Sequence, residues 1–253
     1  TGARATRFRP GDEVFGETLR SMQWKNGGAY AEYVAVPEAN LAPKPANVSF
    51  EQAATVATAG LIALMNMPPG PYGDVLVNGA AGGVGSIALQ VAKARRGTVT
   101  GVEHPGKLDL VRALGADHLI DCTKEDFTRR GERYDLIVDV PGNHTFAEVR
   151  RVLRPTGTYV LIGHDHYGAA GRKVLGSLPR FGKLMAQSMV NRQLPKPTRS
   201  LPPKQDMMEE LRGLLESGRL TPVIDRAFPL AETAAALRYL AEGTARGRVV
   251  VTP

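Results

Sequence analysis

An α/β fold, with a doubly wound parallel sheet carried between two β-rich chain ends, is what this sequence predicts from three observations. From Asp74 onward, short apolar runs alternate with helical ones, and short connections between them call for a parallel sheet covered on both faces. The stretch "VLVNGAAGGVGSIALQVAK", Val75 to Lys93, sets a buried strand, a glycine turn and a helix in direct succession. The tail resembles the first third in composition more than it resembles the middle, as a chain end returning to complete the first domain would.

The elements follow in order. "DEVFG", "GAYAEYVAV" and "NLAPKP" read as antiparallel strands separated by turns. In the second, Tyr30, Glu32, Val34 and Val36 share one face, and Ala31, Tyr33 and Ala35 the other. Ser49 with Gln52 makes a capping box, so the run "SFEQAATVATAGLIALMNM" should turn helical at Phe50. Then come strand "VLVN", helix "VGSIALQVAKAR", strand "TVTGV", helix "GKLDLVRAL" and strand "DHLI". Strand "YDLIVDV", helix "HTFAEVRRVL" and strand "TYVLIG" complete the series. Beyond it lie a helix "MMEELRGLLESG" stopped at Gly218, a strand "PVIDRAFP", a helix "AETAAALRYLAEG" and a last strand "RVVVTP".

Totals narrow the function classes. The 253 residues, 43% apolar and 23% charged, suit an ordinary globular protein with room for two domains. No apolar run approaches 18 residues, so no membrane partner is expected. The start, "TGARATRFRPGDEV", has neither a signal-peptide core nor Met and reads as the middle of a gene product. A single cysteine, Cys122, forbids an internal disulfide and any multi-thiolate metal site; it reads as a passive core thiol in a reducing, cytoplasmic setting. The net charge of +7 is concentrated: Arg172 to Lys204 holds eight Lys and Arg and no acid. A solvated face is the simplest account, and no aromatic stacking pattern points to nucleic acid.

The glycine turn carries the chemistry. Gly79, Gly82, Gly83 and Gly85 leave backbone N–H groups bare at a helix N-terminus, where free donors and the helix dipole favour a pyrophosphate. Glu103 closes the second strand about 20 residues beyond, the position from which a carboxylate accepts hydrogen bonds from a ribose diol and repels a 2′-phosphate. Lys107, four residues later, could instead pair with that phosphate. The cofactor is therefore NAD(P)H, leaning to NAD. No G-x-S-x-G elbow occurs, which disfavours a serine hydrolase.

In order along the chain, "RFRPGDEVFG", "GAYAEYVAVP", "QAATVATAGLIAL", the glycine-turn stretch, "KLDLVRALGADHLID", "YDLIVDV", "GTYVLIG" and "LTPVIDRAFPLAETAAALRYLAEGTARGRVVV" resemble the zinc-free quinone oxidoreductase branch of the medium-chain dehydrogenase/reductase superfamily. The resemblance covers nearly the whole chain. It implies a GroES-like catalytic domain split around a Rossmann domain, with boundaries here at 1–66, 67–218 and 219–253. It also implies hydride transfer from NAD(P)H to a small-molecule substrate, and a homodimer. By motif match, Ala81, Gly82, Gly83 and Val84 should hold the pyrophosphate, and Thr58 should lie near the nicotinamide or its phosphate. Val140, Gly163 and His164 should line the nicotinamide end. Family members usually carry about sixty further residues before "RFRPGDEVFG", among them some substrate contacts.

Candidates for the substrate side are Trp24 and Tyr30, together with Tyr33, as walls of an aromatic pocket. Asn143, after the fourth strand of the series, could hydrogen-bond a carboxamide or carbonyl, and Tyr167 is a loop neighbour of His164. For each, ordinary packing or a turn is the competing account. Zinc is not expected. The four clustered cysteines of a structural site are absent, and Val56 and Ala57 stand before "TAGLIAL", where the zinc enzymes place a ligand. "GHDHYG" falls short of a closed metal site. The expected function is zinc-independent reduction of a quinone, activated alkene or carbonyl, with an enoyl-thioester reductase or a non-catalytic dinucleotide-binding module as alternatives.

Overall fold

Strand pairing begins with β1 (Val14–Gly16), antiparallel to β2 (Leu41–Pro43), in a computed structural model that describes residues 1–3, 5–18, 28–163, 178–196 and 202–253. Between these strands the expected third strand is not formed. Residues 28–36 have no strand conformation and are mostly exposed, Tyr33 by 89%. Alternation alone does not make a strand, because backbone N–H and C=O groups need a ladder partner. Among the described residues, 30–36 have none.

The capping box forms as read. The Ser49 hydroxyl accepts from the Gln52 N–H, the Gln52 side chain accepts from the Ser49 N–H, and α1 (Phe50–Ala54) starts at Phe50. The predicted single helix is broken before α2 (Ala57–Asn66). Thr55 turns its hydroxyl back onto the Gln52 carbonyl at 2.7 Å, and the Val56 N–H bonds only three residues back. A β-branched residue bonding its own helix backbone in this way weakens the next turn.

The alternation then produces β3 (Asp74–Asn78), α3 (Gly83–Ala94), β4 (Thr98–Glu103), α4 (Leu108–Ala113), β5 (His118–Asp121), β6 (Tyr134–Asp139), α5 (Phe146–Val149) and β7 (Leu153–Leu161). All five strands are parallel, in the order β5-β4-β3-β6-β7. This is the doubly wound, Rossmann-like arrangement, and the order reverses between β3 and β6. One face of the sheet buries Leu76, Val102 and Ile137 with Phe127 and Tyr159. Val75 and Val77, next to Leu76 in β3, are equally buried and turn to the other face. α6 (Leu178–Ser188) follows.

Two units result, Thr1–Leu61 with Pro202–Pro253, and Ile62–Leu201. The second boundary lies before 218/219 because α7 (Lys204–Glu216) belongs with the first unit, and the first falls within α2 rather than at 66/67. Its Leu211 lies where a Cβ on Gly60 would stand, 2.5 Å away, and α7 also packs on β2. The Arg7 and Lys204 side chains tie to Glu209 and Glu17 within the same unit. The tail gives β8 (Ile224–Pro229), α8 (Thr233–Ala241) and β9 (Arg248–Thr252), with β8 and β9 parallel. Among the described residues, no helix is long and apolar enough to cross a membrane.

Candidate functional site

The carboxyl ends of β3, β4, β6 and β7 form a crest, and the strand-order reversal between β3 and β6 marks where a ligand binds in open α/β sheets. β3 ends at Asn78, and Gly79 takes φ +77, which swings the chain into a turn that Gly82 closes as the N-cap of α3. α3 seats against this turn without clearance. A Cβ on Gly85 would lie 2.0 Å from the Gly79 carbonyl oxygen.

The turn's donors divide into two sets. The Gly79 and Ala80 N–H groups bond the Val102 carbonyl, and the Gly82 N–H bonds the Gly79 carbonyl. The Ala81 N–H donates to Glu103 Oε2 at 2.8 Å. Of the four residues expected to hold a pyrophosphate, Ala81 and Gly82 have thus already committed their N–H groups. Those of Gly83 and Val84 have no acceptor among the described residues, and no side chain caps the helix. Bare N–H groups at the first turn of a 12-residue helix are a fitting seat for a phosphate.

Glu103 is fixed from two sides, because its Oε1 also accepts the His104 N–H at 3.0 Å. Each carboxylate oxygen keeps a lone pair for a ribose hydroxyl. Lys107 is half-buried in the short 3-10 turn after β4. Cys122, expected in the core, is exposed instead. Partial burial raises its thiol pKa, as do the negative charges of Glu103 and Asp121, so the thiol stays protonated and unreactive.

At the other side of the reversal, Val140 and Gly163 lie together. A Cβ on Gly163 would stand 2.2 Å from the Val140 carbonyl, so the ends of β6 and β7 meet backbone to backbone. Below them is a polar cluster that sequence reasoning missed. Asp139 is fully buried and accepts from Asn78 Nδ2 at 2.8 Å, the Gly142 N–H at 2.9 Å and the Tyr159 hydroxyl at 2.8 Å. The signal was there: an acid inside the apolar run "YDLIVDV" must be paired if that run is a buried strand. Asn143 is exposed on the loop beyond, with its Oδ1 turned inward to Asn78 Nδ2 at 3.1 Å and to His144 Nδ1 at 2.9 Å. The other face of His144 meets Asp126, 3.3 Å from its Nε2.

Thr58 is exposed on the first turn of α2, and Tyr30 is 57% exposed on the segment that forms no strand. Trp24, His164 and Tyr167 lie outside the described residues. No group of three His, Cys, Asp or Glu side chains that could hold a metal occurs among the described residues.

A parallel sheet in this order, with a glycine turn on its central strand and an acid ending the next, defines a dinucleotide-binding α/β fold. The family is more particular. A family model described as zinc-binding dehydrogenase matches residues 114–251. The 2-methylene-furan-3-one reductase of Solanum lycopersicum is 32% identical over all of this chain and 60% of its own length. The quinone oxidoreductase of Pseudomonas aeruginosa is 33% identical over all of this chain and 78% of its own. The quinone oxidoreductase structure from Coxiella burnetii superposes with a TM-score of 0.76 at 25% identity, covering all of this chain and 75% of that one. The chain belongs to this zinc-binding dehydrogenase family, among the quinone oxidoreductase-like members of the medium-chain dehydrogenase/reductase superfamily. It spans 60% of the length of the tomato relative.

Proposed function

We propose that the chain is the nucleotide-binding part, with some of the substrate side, of an oxidoreductase that uses NAD(P)H to reduce a quinone, an activated alkene or a carbonyl. The observation that carries this reading is the pair of bare N–H groups, Gly83 and Val84, with an anchored Glu103 about 20 residues beyond. The nicotinamide supplies the hydride when bound, and the protein supplies binding, orientation and a dry pocket. Gly83 and Val84 donate to the pyrophosphate. Glu103 accepts from the ribose diol. Val140 and Gly163, whose backbones meet closely, bound the nicotinamide end. Thr58 and His164 complete the cofactor contacts, while Trp24, Tyr30 and Tyr167 line the substrate side.

The preferred cofactor in this reading is NADH. A carboxylate fixed by two backbone N–H groups cannot swing aside for a 2′-phosphate, and Lys107 is the rival feature. The substrate class follows the quinone and enone chemistry named for the relatives, and no zinc is required. A cytoplasmic homodimer completes the proposal.

Titration of the chain with NADH and NADPH, followed by nicotinamide fluorescence, tests it. NADH should bind more tightly, and Glu103→Gln should narrow the gap by about tenfold, since one like charge facing the phosphate is removed. NADH should then be consumed with a quinone or an enone in preference to an enoyl thioester. Failure of the chain to bind either nucleotide would sink the reading.

A further inference from the structure

We propose that Asn143 is a cofactor-binding residue whose side-chain Nδ2 is a fixed hydrogen-bond donor to an oxygen on the nicotinamide half of the bound cofactor, and that Asn78 is the positioning residue that fixes it. This rests on the dinucleotide reading above and adds to it a residue, a polarity and a cause.

Hydrogen-bond polarity is passed outward from the buried carboxyl group. Asp139 is wholly enclosed, and its Oδ1 accepts the Gly142 N–H. It faces Asn78, which is 4% exposed, so the Asn78 amide must present its NH₂ to it. The reverse orientation would set a carbonyl oxygen against an oxygen that already accepts a backbone N–H. Asn78 Nδ2 has two hydrogens. One goes to Asp139 at 2.8 Å, and the other lies 3.1 Å from Asn143. Asn143 must meet that hydrogen with its oxygen, so its own NH₂ faces away from the protein. His144 Nδ1 lies 2.9 Å from the same oxygen and holds it from a second side.

Three amide and carboxylate groups are thereby oriented in series, and the last is exposed on the loop after β6, beside the strand-order reversal. The Gly142 N–H, bonded to the same Asp139 oxygen at 2.9 Å, anchors the loop backbone one residue away. A donor held in place loses little freedom on binding, which is what makes an exposed contact count toward affinity. The nicotinamide half offers acceptors in its carboxamide and ribose oxygens, and Val140, on the same loop, bounds that end in the reading above.

Asn143→Asp tests the polarity with little disturbance, because the carboxylate keeps the acceptor for Asn78 and replaces only the outward NH₂. NADH should bind about tenfold more weakly to this variant, the cost of a lost hydrogen bond with an acceptor left facing an acceptor. ADP, which lacks both the nicotinamide and its ribose, should bind within about twofold of the unaltered chain. Asn78→Ala should weaken NADH by severalfold, and the double variant should bind no worse than Asn143→Asp alone, a non-additivity that general loosening does not produce. If Asn143→Asp binds NADH as the unaltered chain does, the donor role is wrong while the dinucleotide reading stands. Equal loss of NADH and ADP also overturns it, as a loop collapse. If the unaltered chain binds neither nucleotide, this proposal falls with the dinucleotide reading.

Discussion

Gly85 shows how little latitude the glycine turn has. Its virtual Cβ stands 2.0 Å from the Gly79 carbonyl oxygen, which is backbone and cannot rotate away. Gly85→Ala should therefore push the first turn of α3 off the strand end. The expected cost is about 1–3 kcal/mol of stability, read by urea unfolding, with a larger loss of NADH affinity because the Gly83 and Val84 donors move with the helix. Were only stability to fall, the donors would not be where the phosphate sits. Asp139 shows the opposite case, a carboxyl group in the core that is tolerated because three donors meet it. The glycine turn could be read from the sequence because strand, turn and helix are neighbours in the chain. The Asp139 cluster could not, because Asn78, Asp139 and Tyr159 come from three strands that only the sheet order brings together.

Elements tell the same story of local against distant information. The order of the βα series was legible, since each strand and helix declares its period over a few residues, and the Ser49 cap fixed a helix start to the residue. The helix read over "HTFAEVRRVL", however, is α-helical only at Phe146–Val149, and β7 already begins at Leu153. The 30–36 strand was misread because its alternation is local but its partner would be distant. Short helices depend most on their caps. α5 has four residues, and its Thr145 hydroxyl and the Glu148 carboxylate close a capping box. The Thr145 N–H and hydroxyl lower the Glu148 pKa. Thr145→Ala should lower stability by about 1 kcal/mol, measured by chemical denaturation, and should loosen the loop that carries Asn143. A weaker NADH complex at unchanged ADP affinity would be the sign of that loosening.

At the scale of the whole molecule, the ionised carboxylates set the acid limit. Arg130 bonds Glu132 and lowers its pKa from 4.5 to about 2. Asp117 is raised by burial but lowered more by Lys93 and the Val99 N–H, and Asp126 is likewise raised by burial but lowered more by Thr128 and His144. Each is depressed in the fold, so its contribution is fully present above the unfolded value and is lost as pH falls through the folded one. Melting temperature should accordingly hold level above the ordinary carboxylate range and fall steadily between pH 4.5 and about 2. A flat profile across that window would show that these pairs are as strong in the unfolded chain.

The chain divides into two units, and the proposed cofactor contacts Gly83, Val84, Glu103, Val140 and Gly163 all belong to Ile62–Leu201. Calorimetry can use this. NADH at a hundredfold excess over its dissociation constant adds about 2.7 kcal/mol to whatever unfolds with its site. For a unit of this size that is a rise of roughly 8 °C. If the units unfold separately, one transition should move by that amount and the other should stay, which would assign binding to the sheet unit alone. A joint shift of a single transition would mean that they unfold together. A transition that ignores NADH altogether would leave the glycine turn as a bend and nothing more, and the smaller unit would then be the place to look for a ligand.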